Sequence, residues 1–276
     1  MPNHNNVSEH YTRGNLLEAI QASLATLDKT VDSLTIEDLA PVDEFHIGGR
    51  QATEHFFNQL DFSEQDHILD VGCGLGGASR FVADRYHNHV TGIDVTREYI
   101  ETGNQLSLWV GLDELVSLRL GSALSLPFQD GIFDGAFMMH VGMNIKDKIQ
   151  LFTEVYRILH PNSSFGIYDI MQNDDGELTY PVPWATEPNT SHLATPAKYR
   201  QAMIDAGFVV TSANDRRDYA LSFFKGVRAA AETNGGPPPL GLHTLVGDST
   251  AIKFKNMIDG IVTGHIAPIE MIARKY

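Results

Sequence analysis

Thiols and positive charge are both scarce in this sequence. Cys73 is the only cysteine among 276 residues, which excludes an internal disulfide and leaves no thiolate cluster for a metal. Lys and Arg number 20 against 35 Asp and Glu, a formal charge of −15. That balance repels phosphate backbones and anionic bilayers, so neither nucleic acid nor membrane is an expected partner. No apolar run approaches the roughly 18 residues of a bilayer span. The first fifteen residues, MPNHNNVSEHYTRGN, have neither the basic start nor the apolar core of an export signal. Together with the lone thiol, this leads us to expect a cytoplasmic setting. Histidine is plentiful at 12, but pairs such as His87 and His89 lack carboxylates at ligand spacing, so no metal is expected. With 42% hydrophobic residues, the chain can bury the core of one large α/β domain.

From Asp66 onward, short apolar runs alternate with amphipathic stretches. His67 to Val71 reads as a strand, followed by the turn Gly72-Cys73-Gly74-Leu75-Gly76-Gly77 and a helix over Ala78 to Tyr86. His89 to Val95 is a second strand, followed by a helix to about Val110. Val116 to Leu120, Phe133 to His140 and Ser164 to Ile170 are three more strands, with a helix over Lys146 to Leu159 before the last. This alternation predicts a parallel, doubly wound, Rossmann-like sheet of seven strands with helices on both faces. The remaining two strands fall at Phe208 to Ala213 and Ile266 to Lys275, and helices at Pro196 to Ala206, Tyr219 to Glu232 and Ser249 to Thr263.

Upstream, residues 1–65 read as a helical cap with a lid loop, and 66–276 as the core. Residues 1–8 are polar and expected to lack regular structure. Tyr11 to Leu27 spaces Leu16, Leu17, Ile20, Leu24 and Leu27 as one amphipathic helix. Asp43 to Arg50, with paired glycines, reads as a loop leading into a helix over Gln51 to Leu60. Residues 172–195, with Pro181, Pro183 and Pro188, are too long and irregular for an ordinary connection and read as a lid insertion after strand five.

Glycines at 72, 74 and 77 bring backbone close to a ligand, as a dinucleotide site or a site for an amino-acid-bearing nucleoside would both require. Asp70, two residues before the first glycine, favours the second, because its carboxylate suits a cationic amino group and not a pyrophosphate. Asp94, at the end of the second strand, is placed to accept two ribose hydroxyls. The plain alternatives are a turn carboxylate for Asp70 and a helix N-cap for Asp94.

The segments Ile68-Leu69-Asp70-Val71-Gly72-Cys73-Gly74-x-Gly76-Gly77, Gly92-Ile93-Asp94, Leu126-Pro127-Phe128 with Phe133-Asp134, and Arg157-Ile158-Leu159-x-Pro161 resemble the successive motifs of class I S-adenosylmethionine (SAM) dependent methyltransferases. The resemblance implies SAM as cofactor, held by Asp70, Gly72, Cys73, Gly74, Asp94, Val95 and Thr96. It implies adenine contacts at Ser122 and Ala123, where the family more often has Asp at the first, and a contact with the methionine part at His140. A second departure is His160-Pro161-Asn162-Ser163 in place of a Gly-Gly turn, which Asn survives by tolerating left-handed backbone. Asp43-Glu44-Phe45-His46-x-Gly48-Gly49-Arg50 and His140-Val141-x-Met143-Asn144-Ile145 resemble the small-molecule N-methyltransferases acting on sarcosine and dimethylglycine. That narrower likeness implies N-methylation of a glycine-derived or similar amine; O- or C-methylation, an NAD(P)-dependent oxidoreductase and a non-catalytic SAM-binding regulator are the alternatives.

Methyl transfer needs alignment and an unprotonated acceptor, so a titratable group near the methyl is useful. His140, at a strand's carboxyl end, is the first candidate, with His46 and Glu44 next; a backbone-bonded core histidine and a solvated loop are their bland counterparts. Arg50 suits a substrate carboxylate or, equally, a neighbouring acid. Trp184 suits an alkylammonium or the packing of the lid. Tyr11, Asn144 and Tyr168 complete the expected acceptor contacts. The acceptor is a small molecule, and the oligomeric state, a homodimer included, stays open.

Overall fold

A computed structural model describes residues 4–27, 29–236 and 238–276. Four helices precede the first strand: α1 (His4–Tyr11), α2 (Leu16–Ala25), α3 (Ile36–Asp43) and α4 (Gly49–Phe57). The expected single helix from Tyr11 is broken in two, because Gly14 takes φ +88° and the Glu98 carboxylate accepts from the backbone N–H groups of Arg13 and Leu16. Residues 4–8, expected to be irregular, belong to α1, and 1–3 lie outside the described residues. Leu16, Ile20 and Leu24 of α2 are buried as their spacing requires, whereas Leu27 falls beyond the helix and is exposed.

The alternating unit then runs β1 (His67–Val71), α5 (Gly77–Tyr86), β2 (His89–Asp94), α6 (Arg97–Trp109), β3 (Val116–Leu120), β4 (Phe133–Met139), α7 (Lys148–Ile158) and β5 (Leu159–Gln172). After an irregular stretch come α8 (Pro196–Asp205), β6 (Val209–Asp215), α9 (Arg217–Asn234), α10 (Leu242–Val246), α11 (Thr250–Thr263) and β7 (Ile266–Arg274). Seven strands form one sheet in the order β3-β2-β1-β4-β5-β7-β6. The alternating strands β1 to β5 pair in parallel as expected, while β7 runs antiparallel to both β5 and β6, with Ser164 opposite Arg274 and Gln172 opposite Ile266.

Strand residues alternate between two apolar layers. Leu69, Val71, Ala136 and Met138 face α7 and α8 through Phe152, Val155 and Met203. Ile68 and Phe137 face the opposite side, against Phe56 and Phe57 of α4 and Phe81 of α5. Full burial of each such side chain contributes roughly 1.5–3 kcal/mol, which explains why these strands tolerate almost no polar residue. The order of connection reverses between β1 and β4, and in open α/β sheets the crevice at the carboxyl ends of strands flanking that point is where ligands bind.

Two sequence motifs prove to be partners of one another. Arg157 of α7 donates to the carbonyls of Phe128 (2.7 Å) and Leu126 (3.0 Å), and Glu154 accepts from the Leu126 N–H. The Leu-Pro-Phe turn is thus clamped to α7. Asn162 takes φ +69°, the left-handed conformation expected of it.

Candidate functional site

At that crevice lies a cavity of ≈ 1970 Å³, about twice the upper end of an ordinary small-molecule pocket of roughly 300–1,000 Å³. Its floor is the turn after β1. Gly72, Gly74 and Gly76 all take positive φ, and a Cβ at Gly72 would stand 2.5 Å from the Val141 side chain. At Gly74 a Cβ would meet protein no nearer than 3.9 Å, so that backbone is bare towards the cavity. Gly77 starts α5 with the same economy, since a Cβ there would stand 2.6 Å from the Asp43 carbonyl oxygen.

Asp94 holds the turn. Its Oδ2 accepts from the Gly74 N–H at 3.0 Å and its Oδ1 from the Thr96 N–H at 2.8 Å. The expected helix N-cap alternative does not hold, since the N-cap position of α6 is Thr96; Asp94 braces the glycine turn instead, and each carboxylate oxygen keeps a further lone pair for a ligand. Burial raises its pKa, with those N–H donors opposing the rise. Asp70 is buried beneath the turn and accepts from the Ser79 hydroxyl at 2.7 Å; burial pushes its pKa up to about 7, so half its charge is missing near neutrality until a cation arrives. Cys73 is buried with its thiol pKa raised by burial and by nearby Asp70 and Asp94. Val95, Thr96, Ser122 and Ala123 line the same end of the cavity, with the Ser122 hydroxyl accepting from Leu124 N–H at 3.1 Å.

The second group of expected residues comes from the cap and from β4. Glu44, His46 and Thr53 form a buried cluster: the Thr53 hydroxyl donates to Glu44 Oε2 at 2.6 Å and lies 2.9 Å from His46 Nε2. Burial lowers the His46 pKa to about 4 and raises that of Glu44. The loop is therefore packed, neither solvated nor free. His140 follows β4 at φ +54°, its N–H held by the Tyr168 carbonyl at 2.7 Å. Its ring packs against those of Tyr168 (5.2 Å) and His46 (6.0 Å), which also touch each other, and Nε2 is buried with no partner. Burial and the neighbouring His46 hold its pKa well below the usual imidazole range.

Other expected residues have prior engagements. Arg50 Nη1 lies 2.7 Å from Glu44 Oε1 and its Nε 3.2 Å from Glu37; the Glu44 contact is off-axis, a charge contact without an aligned hydrogen bond. Tyr168 is buried and donates to the Ile47 carbonyl at 2.9 Å, which makes it a strut beneath His140, outside the cavity wall. Trp184 spends its indole N–H on Ser191 (2.9 Å) within the insertion while lining the cavity. Tyr11 reaches Asn144 Oδ1 at 3.4 Å. Sequence reasoning missed Tyr99, one turn into α6, whose buried hydroxyl has no partner and lines the cavity. It also missed the ion pair of Asp43 with Arg80 (2.6 Å), both fully buried side chains, which joins α3 to α5 behind the turn. Among the described residues, no group of three or more His, Cys, Asp or Glu is placed to hold a metal ion.

Residues 69–167 match the methyltransferase domain family. That segment carries the glycine turn, Asp94 and the strands through most of β5. The cofactor of this family is SAM, and the bare Gly74 backbone and the carboxylates at 70 and 94 fit it. The chain is 25% identical to a sarcosine/dimethylglycine N-methyltransferase of Halorhodospira halochloris, over 72% of this chain and 70% of that one. It is 40% identical to a probable chloroplastic tocopherol O-methyltransferase of Oryza sativa subsp. japonica, over 35% of this chain and 26% of the other. In fold it resembles the geranyl diphosphate C-methyltransferase of Streptomyces coelicolor A3(2), with a TM-score of 0.72 at 18% identity, covering 100% of this chain and 98% of that one. Of several curated relatives the chain spans about half the length or less. Those names cover nitrogen, oxygen and carbon acceptors, so kinship alone leaves the methylated atom undecided.

Proposed function

We propose that the whole chain is a SAM-dependent enzyme that methylates the nitrogen of a small amine. The observation that carries this reading is the placing of two buried, uncharged imidazoles, His46 and His140, in the wall of the same cavity as the glycine turn and Asp94. When bound, SAM supplies a sulfonium methyl open to in-line displacement. Asp94 would hold its ribose hydroxyls, Asp70 its ammonium group, and Val95, Thr96, Ser122 and Ala123 its adenine.

The chain's own residues then do three things. The insertion, α1 and the cap exclude water, since His10 of α1 lies 2.9 Å from the Pro183 carbonyl and so ties helix to insertion. Tyr11, Asn144 and Trp184 orient the acceptor. An amine reacts only through its lone pair, and the unpartnered Nε2 of His140 is the acceptor for the proton it must lose; Glu44, through Thr53, orients His46 beside it. A glycine-like acceptor would need a cation for its carboxylate, and Arg50 has given its charge to Glu44 and Glu37.

Calorimetric titration with S-adenosylhomocysteine, followed by transfer from methyl-labelled SAM to panels of amines, phenols and carbon acids, tests this. Heat without transfer would favour a non-catalytic SAM-binding protein. Label appearing only on oxygen or carbon would remove the nitrogen assignment.

A further inference from the structure

Resting on that methyltransferase reading, we infer that the acceptor is an apolar amine carrying neither carboxylate nor phosphate. The cavity is too large for the cofactor alone, and one part of its wall is an apolar cluster. Ile47, Met143, Trp184, Phe223, Phe224 and Met257 line it and belong to one apolar cluster. They come from the cap loop, the stretch after β4, the insertion, α9 and α11, so five separate segments converge on one hydrocarbon surface. A Cβ at Gly49 would stand 3.9 Å from the Phe223 ring, which sets α9 directly against the loop carrying His46. The apolar wall and the candidate base thus belong to one chamber.

Charge gives the second half of the argument. Among the described residues nine acidic side chains line the cavity and four basic ones do. Two of the four are spent. Arg50 faces Glu44 and Glu37, and the Lys148 ammonium donates to the carbonyls of Ile145 and His192, the latter at 2.9 Å. The other two, Lys146 and Lys198, are exposed to solvent. A carboxylate or diphosphate entering this chamber would lose its hydration without meeting a free buried cation, so nothing would offset its desolvation. An ammonium meets the opposite: acids attract it at the mouth, and aromatic faces receive its alkyl body and its charge.

Calorimetry on the full chain tests this with three probes: decylamine below its micellar concentration, sarcosine, and geranyl diphosphate. Each is titrated into protein already saturated with S-adenosylhomocysteine. We expect decylamine to bind at least about tenfold more tightly than either anion, and Phe224→Ala to weaken decylamine about fivefold while S-adenosylhomocysteine affinity stays within about twofold. If Phe224→Ala also weakens the nucleoside, the same comparison on Phe223→Ala decides. Sarcosine or geranyl diphosphate binding as well as decylamine, no decylamine binding in cofactor-loaded protein, or decylamine affinity indifferent to both Phe substitutions would overturn the inference. Failure of S-adenosylhomocysteine itself to bind would instead bring down the methyltransferase reading on which it rests.

Discussion

The rings of His46 and His140 meet edge to face with centroids 6.0 Å apart, and burial keeps both uncharged at neutral pH. Only His140 leaves Nε2 without a partner, so the two have different tasks. Replacing His140 by Asn keeps a side chain that accepts its φ of +54° and removes the proton acceptor. We expect kcat to fall about 100-fold, the low end of what a positioned base contributes, with S-adenosylhomocysteine affinity within about threefold. Steady-state kinetics alongside calorimetry check this, and unchanged kcat would make His140 a packing residue.

Asp94 couples the turn to the ligand, since its two oxygens already hold Gly74 and Thr96. Asp94→Ala should cost at least about 2 kcal/mol of cofactor affinity, as expected when buried donors lose a charged partner. Asp94→Asn preserves one acceptor oxygen and should cost less. Equal affinity of all three proteins by calorimetry would refute the ribose role.

Asp70 makes cofactor binding sensitive to pH. Its pKa in the folded protein is raised to about 7 by burial, and an ammonium beside it would lower that value. The ionised form binds the ammonium better, so affinity should rise as pH increases through about 7, with a proton released on binding. The same shift acts on stability in the other direction: a carboxyl whose folded pKa lies above its unfolded value destabilises the fold progressively from about pH 4 to 7. Titrations in buffers of different ionisation heat between about pH 6 and 8 measure the released proton. Asp70→Asn should abolish that release, and a release persisting in the variant would place the titrating group elsewhere.

The first five strands were legible because a strand covered on both faces must be apolar throughout, and glycine or aspartate marks its end. The direction of β7 was not, since a buried run such as Ile266 to Arg274 reads the same for either orientation. The break between α1 and α2 turned on one glycine and on Glu98, 85 residues from Arg13. Within the site, Asp70, Asp94 and the glycines announce themselves by spacing along one turn. Arg50, Trp184 and Tyr168 do not, because what occupies their polar atoms lies in other elements: Arg50 meets Glu37, Tyr168 meets Ile47, and Trp184 meets Ser191.

The Asp43–Arg80 pair locks the cap to the start of α5 with both side chains out of water. Arg80 also donates to the Gly103 carbonyl (3.0 Å) and to Ser107 (3.1 Å); those two also bond each other, so its removal would chiefly strand the buried Asp43 carboxylate. Arg80→Ala should destabilise the protein by about 3–5 kcal/mol, the usual consequence of leaving one buried charge alone. Chemical denaturation followed by circular dichroism measures it. A loss below about 1 kcal/mol, the ceiling for exposed ion pairs, would mean that water reaches the pair.

Trp184 separates packing from recognition. Its indole N–H is fixed by Ser191, so the ring is held rigidly and only its apolar face is offered to the cavity. If that face receives the acceptor, Trp184→Ala should raise the acceptor KM by about tenfold, equivalent to 1.4 kcal/mol, leaving cofactor affinity unchanged. Trp184→Phe keeps a ring of similar placement and should restore most of the loss, although it cannot bond Ser191. A structural role predicts a different pattern: Trp184→Phe and Trp184→Ala would both lower Tm, with KM unmoved. Measuring KM and Tm on the same two variants therefore decides whether the insertion binds the acceptor or merely roofs it.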